Sequence, residues 1–208
     1  MFFSFPGLFT FLLLIILVPA LFIFGVFEVL SRGLENIGIS ERMIVGVVFL
    51  MAIGSFISIP LGKKKIIAAE ERRAASGLAI NIGGGVIPLV IVAYLLPRLP
   101  LQASLVAIVL MIVLSYTLSR SVPKKGVRVS LVLPPIFAAL FAMILAPQAA
   151  PSVAFAAGVL GVLIGGDILR MPWLLKQERG MVVIGGGGVF DGIFLVGVVS
   201  SLLAGFTK

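Results

Sequence analysis

Long apolar stretches, separated by short polar connections, follow one another along the whole chain. Seven such stretches hold few charged residues, and most approach the roughly 20 apolar residues that a helix needs to cross a membrane. The pattern therefore predicts an all-α polytopic membrane protein with about seven transmembrane helices, in which residues 1–208 form a single integral membrane domain. The predicted spans are about 8–30, 43–62, 77–96, 101–119, 129–146, 150–169 and 181–206.

The connections between these spans alternate between many and few basic residues. The second, fourth and sixth connections hold twelve Lys and Arg residues in all, whereas the first, third and fifth hold three. Because connections rich in Lys and Arg stay in the cytoplasm, the alternation predicts a cytoplasmic N-terminus and an external C-terminus. The alternative is that one span is miscounted, and 129–146 with its Pro134–Pro135 pair is the weakest of the seven.

The composition supports a membrane protein and excludes several kinds of chemistry. The chain is 61% hydrophobic and 12% charged, whereas a soluble domain carries about 25% charged residues. Cys and His are absent, which excludes disulfides, thiolate or imidazole metal sites, a Cys nucleophile and Ser–His catalysis. We attribute the net charge of +8 to loop orientation rather than to nucleic-acid binding. We expect no metal and no cofactor, with the lipid bilayer as the surroundings of the chain.

The last predicted span carries an acidic residue within a run of glycines. Gly185–Gly192 reads Gly-Gly-Gly-Gly-Val-Phe-Asp-Gly, and Asp191 lies about ten residues into the span. A carboxylate at that depth costs at least ~2.5 kcal/mol on insertion, so a functional role is the first hypothesis. The glycines weaken a helix and allow close backbone approach, which predicts a bend at this point.

A second carboxylate, Asp167, ends the preceding span. The short connection makes the sixth and seventh spans antiparallel neighbours, which places Asp167 and Asp191 in the same half of the membrane. Small residues, among them Gly165 and Gly188, are expected to let the two helices approach closely. Two carboxylates that meet in a medium of low dielectric share a proton, and such a pair can activate water. The alternative for Asp167 is an ordinary ion pair with Arg170, three residues later.

The third and seventh spans share a pattern that predicts a parallel internal repeat. Ile82–Pro88 aligns with Gly185–Asp191, with three glycines and a valine in common. The two spans lie four apart and therefore run in the same direction, as repeats do in some transporters. Chance matching is the alternative in a chain with 24 glycines.

Aspartates on consecutive spans resemble the intramembrane aspartyl proteases of the presenilin and signal-peptide-peptidase type. Those proteins place one aspartate on the sixth span and one on the seventh, with a cytoplasmic loop between them, and the second lies in a Gly-x-Gly-Asp motif. Here Asp191 ends the string Gly188-Val-Phe-Asp, and Asp167 follows Gly165-Gly166. The resemblance implies that Asp167 and Asp191 are the catalytic residues.

The same resemblance implies a substrate and a place for it. The substrate is a transmembrane helix or a signal-peptide remnant, locally unwound near the glycine-rich spans. A Pro-Ala-Leu motif lies beside the two aspartates in that family, and Ile87-Pro88-Leu89 takes its place here. Asn81 either donates to the substrate backbone or caps a helix. The expected substrate-binding residues are Asn81, Gly83, Gly84, Gly85, Pro88, Leu89, Gly187 and Gly188.

The whole chain also resembles a family of small prokaryotic membrane proteins of unassigned function. That resemblance rests on Asn81-Ile-Gly-Gly-Gly-Val-Ile-Pro-Leu and Phe190-Asp-Gly-Ile-Phe. It implies a prokaryotic plasma membrane as the location, and it implies no activity. The leading hypothesis is an intramembrane aspartyl protease. The alternatives are a secondary transporter or ion-coupled carrier with glycine-broken helices around Asp191, and a non-catalytic membrane scaffold. The oligomeric state stays open.

Overall fold

A computed structural model describes seven α-helices and five short strands in the ranges that it covers. Those ranges are 5–62, 77–122, 126–128, 130, 132–172, 181–186 and 192–206. The helices are α1 Phe5–Asn36, α2 Glu41–Gly54, α3 Ile87–Leu95, α4 Leu101–Leu118, α5 Leu133–Leu145, α6 Ala150–Gly161 and α7 Gly192–Gly205. The strands are β1 Ser58–Gly62, β2 Gly77–Asn81, β3 Arg120–Val122, β4 Gly126–Arg128 and β5 Met181–Ile184. Two π-helical segments, Ile82–Val86 and Val162–Ile168, precede α3 and follow α6, and the 3₁₀ turns Leu96–Arg98 and Pro147–Ala149 follow α3 and precede α6.

The prediction of a mostly helical chain is confirmed, and each described helix lies within or over one predicted span. The all-α prediction is wrong in detail, because parts of three predicted spans form β-strands, namely 58–62, 77–81 and 181–184. Apolar runs of four or five residues are too short for periodicity to separate a strand from a helix. The β-branched residues of Met181-Val-Val-Ile184 and the glycines that follow it favour the strand.

Among the described residues, three helical stretches are long and apolar enough to cross a membrane. They are Leu13–Asn36, Leu101–Leu118 and Pro147–Ile168, with mean hydropathies of 2.8, 2.2 and 1.8. Shorter apolar helical stretches cover Ile82–Arg98, Leu133–Leu145 and Gly192–Gly205.

Helix α6 lies at the centre of the bundle and packs against α4, α5 and α7. Most of its residues are buried, and many are Ala or Gly, whose small side chains allow neighbouring backbones to approach. The Ser200 hydroxyl of α7 donates to the Ala154 carbonyl of α6 at 3.0 Å. A Cβ on Gly197 would lie 2.6 Å from the Val159 side chain. Residues later in α6 therefore contact residues earlier in α7, so the two helices are antiparallel, as predicted.

Helices α1 and α7 run in the same direction. Gly33 of α1 packs against Val198 of α7, and Asn36, three residues later on α1, packs against Gly205 of α7. The Ser201 hydroxyl also donates to the Gly33 carbonyl at 2.7 Å. These relative directions agree with the alternation of spans, in which the first and seventh run the same way.

A three-stranded sheet closes one end of the bundle, which we call the sheet end. Its order is β1-β2-β5, with β1 antiparallel to β2 and β2 parallel to β5. Helix α2 leads into β1, β2 leads through a π-helical segment into α3, and β5 precedes α7. A second, two-stranded sheet pairs β3 with β4 between α4 and α5.

Candidate functional site

Asp167 lies at the sheet end, near the end of the π-helical segment Val162–Ile168. Its carboxylate is half-buried, and Oδ2 accepts a hydrogen bond from the backbone N–H of Gly185 at 3.3 Å. Gly185 follows β5 directly and has a φ of 65°, a conformation that glycine adopts without steric cost. The contact therefore joins the end of the sixth predicted span to the first residue of the glycine run Gly185–Gly192.

Arg170 does not pair with Asp167 and contacts α4 instead. Its Nη2 donates to the Tyr116 carbonyl at 2.6 Å, and its Nε donates to the Ser119 hydroxyl at 3.2 Å. The central carbon of the Arg170 guanidinium also lies 4.5 Å from the centroid of the Tyr116 ring. A cation at a helix C-terminus satisfies carbonyls that have no intrahelical partner. The ion-pair alternative for Asp167 is wrong, since Asp167 forms no ion pair with any described residue.

Asp191, Gly187 and Gly188 lie outside the described residues. Gly186 and Gly192 border this stretch, so the structure describes both sides of the second predicted catalytic residue. The pairing of Asp191 with Asp167 stays a prediction, and so does substrate contact by Gly187 and Gly188.

Within the described part of the chain, the predicted close approach of the sixth and seventh spans occurs at Gly158 and Gly197, whereas Gly188 lies outside the described residues. A Cβ on Gly165 would collide with the Ile112 carbonyl of α4, so Gly165 serves the contact with α4 rather than with α7. The approach of α6 to α7 uses Gly158 and Gly197, whose added Cβ atoms would meet Val196 at 3.1 Å and Val159 at 2.6 Å. The sequence showed the small residues but not which helix each one faces.

Asn81 caps the first π-helical segment. Its side chain accepts a hydrogen bond from the Gly84 N–H at 2.9 Å and donates to the Ser55 carbonyl at 2.7 Å. The Asn81 amide nitrogen also donates to the Ser58 hydroxyl at 3.4 Å. Only 2% of Asn81 is exposed. The cap alternative is therefore what the structure shows, and one amide holds together the end of α2, the start of β1 and the start of the π-helical segment.

The other expected substrate-binding residues of the third span contact the protein itself in this conformation. Gly83, Gly84 and Gly85 are buried, and a Cβ on Gly83 would collide with the Met51 carbonyl. Pro88 is buried in the first turn of α3, and half-buried Leu89 packs against the core. Substrate contact at these positions stays a prediction.

The strands that precede the two glycine runs lie side by side at the sheet end. Strands β2 and β5 pair in parallel, with Gly77 opposite Met181 and Ile80 opposite Ile184. Glycines follow both strands, and a Cβ on Gly85 would lie 3.5 Å from the Ile184 carbonyl. The strands that lead into the two aligned segments therefore run in the same direction, whereas most of the second segment lies outside the described residues. The sequence analysis missed these strands, although the β-branched residues of Met181–Ile184 favour one of them. It also missed the Arg170 contact with α4, for which no local pattern gives a signal.

The described part of the site offers a carboxylate, backbone N–H groups and tightly packed glycines. No group of three or more acidic, His or Cys residues that could hold a metal ion occurs among the described residues. The arrangement suits hydrogen bonding and proton transfer by the Asp167 carboxylate.

Comparison with known proteins identifies one family. No curated protein and no solved structure matches the chain. A family model described as "Protein of unknown function (DUF1614)" matches residues 63–203, which include both glycine runs and both aspartates. This match agrees with the resemblance to a family of unassigned function and says nothing about proteolysis. The chain belongs to the DUF1614 family.

Proposed function

We propose that this protein is a polytopic membrane protein of about seven spans whose active centre lies at the sheet end. Support comes from the three helical stretches long enough to cross a bilayer. It also comes from α1, on which every residue from Leu13 to Gly25 is exposed. Large apolar side chains on all sides of a helix suit lipid rather than water. The basic connections follow α2, α4 and α6, so the sheet end faces the cytoplasm and the C-terminus faces outward.

At this centre, Asp167 and Asp191 hydrolyse peptide bonds of transmembrane segments. The observation that carries the proposal is the hydrogen bond from the Gly185 N–H to Asp167 Oδ2. It holds one carboxylate against the start of the glycine run in which the second carboxylate lies six residues further along. One aspartate takes a proton from water, while the other, protonated, polarises the scissile carbonyl. Both the resemblance to intramembrane aspartyl proteases and the absence of Cys and His favour this chemistry.

A second candidate function is an ion-coupled carrier, and the parallel pairing of β2 with β5 favours it. The strands that begin the two repeated segments lie side by side at the same end of the bundle, and glycines and a helix follow each strand along the chain. Discontinuous helices in repeated halves form substrate and ion sites in many transporters. In this function Asp191 and backbone carbonyls bind the coupling cation, and Asp167 has a structural role.

The two functions are separated by Asp167→Asn and Asp191→Asn, each purified and reconstituted into vesicles. A protease loses cleavage of a transmembrane peptide in both variants, because Asn cannot take or release the shared proton. The double variant is then no worse than either single variant, since the two acids act as a unit. Glu28→Gln is the control, because Glu28 is an acid on α1 that pairs with Arg32 at 2.8 Å.

The outcomes decide between the proposals. Full cleavage by Asp167→Asn together with loss in Asp191→Asn rules out a two-carboxylate mechanism. The carrier is favoured if a cation or solute flux falls in Asp191→Asn while proteolysis is unchanged in the variants or is absent in the wild type.

A further inference from the structure

A groove lined only by apolar side chains opens between α1 and α2. Ile23 and Phe27 form one wall, Met51 and Ala52 form the other, and Phe194 of α7 forms the floor. The cavity within it measures about 120 Å³. Ile23 in the groove wall is 68% exposed, so the groove borders the exposed apolar surface of α1.

The volume and the lining decide what can enter. One turn of a helix with its side chains, about 10 Å across and 5.4 Å long, occupies roughly 400 Å³ and does not fit. No lining side chain carries a polar atom, so neither a headgroup nor a peptide backbone would find a hydrogen-bond partner. An apolar cavity of about 150 Å³ excludes water and takes up small apolar molecules, and this groove belongs to the same size class.

We propose that the acyl chain of a membrane lipid occupies this groove and reaches Phe194. The inference rests on the membrane location proposed above, since the bilayer supplies alkyl chains at the open side of the groove. Phe194 lies in the first turn of α7, three residues after Asp191. The groove therefore connects the bilayer to the start of the helix on which the proposed active centre depends, and a bound lipid chain fills the space between α1, α2 and α7.

Tryptophan fluorescence in vesicles of brominated lipid tests the proposal, because bromine quenches only the indoles that its acyl chain reaches. Trp173→Phe removes the one tryptophan of the chain and provides the background. In that background we expect Phe194→Trp to be quenched by phosphatidylcholine brominated in mid-chain, although Phe194 is only 2% exposed. Phe155→Trp, at a position that is 0% exposed in the centre of α6, is the unquenched reference. Phe49→Trp, at a position that is 63% exposed on α2, is the quenched reference.

A second pair of variants tests occupancy directly. Ala52→Phe fills the groove, so adding it to Phe194→Trp restores fluorescence, whereas Val45→Phe on the exposed side of α2 does not. Met51→Trp is a second reporter from the groove wall if Phe194→Trp does not fold. Quenching of Phe49→Trp without quenching of either groove reporter overturns the proposal. Absence of quenching even in Phe49→Trp overturns the membrane location itself.

Discussion

Gly54 of α2 and Gly83 of the first π-helical segment meet with backbone against backbone. A Cβ on Gly54 would lie 3.0 Å from the Gly83 nitrogen, and a Cβ on Gly83 would lie 2.7 Å from the Ser55 nitrogen. Neither contact leaves room for a methyl group. The approach sets the position of the cap residue Asn81 and of β2, and through the pairing of β2 with β5 the position of Gly185 beside Asp167.

Gly83→Ala is therefore expected to destabilise the protein. The new methyl group meets backbone atoms of α2, which cannot move aside as a flexible side chain can, and overpacking of this kind costs about 1–3 kcal/mol. Thermal unfolding in detergent measures the loss. Gly46→Ala is the matched control, because Gly46 lies inside α2 with nothing within 4 Å of an added Cβ. That control should gain about 0.5–1 kcal/mol from helix propensity. Equal stability of the two variants would contradict the close contact.

Gly185→Ala is expected to lower both stability and activity. Its φ of 65° disfavours a residue with a Cβ by about 1–2 kcal/mol, and any relaxation moves the N–H away from Asp167. Gly38→Ala is the control, because Gly38 has a φ of 85° and open space around it, in the connection between α1 and α2. Both variants should lose stability by similar amounts in unfolding measurements. Only Gly185→Ala should lose cleavage or flux at a temperature where both remain folded.

Arg170→Ala is expected to loosen the segment that carries Asp167. The variant loses two hydrogen bonds to the end of α4 and the contact with the Tyr116 ring. A hydrogen bond to a charged group contributes about 1.5–3 kcal/mol, so the midpoint of thermal unfolding should fall. Arg98→Ala removes a guanidinium that lies 4.4 Å from the Tyr94 ring, far from Asp167 in the chain, and should have a smaller effect. If the two variants unfold alike, Arg170 does not anchor the segment.

Single cysteines test the proposed orientation, because the natural chain has none. Ser40→Cys, at an exposed position between α1 and α2, should react with a membrane-impermeant maleimide in intact cells. Lys176→Cys, in the basic connection after α6, should react only after the membrane is permeabilised. The reverse pattern would place the sheet end outside the cell.

The sequence predicted the described helices well because long apolar runs determine where a membrane helix forms. It predicted no sheet, because strands as short as Met181–Ile184 resemble the ends of the helices that they precede. The partner of Asp167 depends on that sheet: Gly185 reaches the carboxylate only because β5 pairs with β2. Glycine positions indicated close packing, but a linear pattern does not show that Gly165 faces α4 while Gly158 faces α7.

The parallel pairing of β2 with β5 also has a consequence for biosynthesis. Strand β2 is made early, and its partner β5 emerges only about 100 residues later, which takes roughly 5–20 s at ordinary rates of translation. During that interval one edge of β2 has no strand to pair with, and the end of the nascent protein that will hold Asp167 and the second glycine run stays open. Assembly of this centre is thus one of the last events of synthesis, after the earlier helices have been inserted, so a shortened chain that ends before Met181 cannot form it.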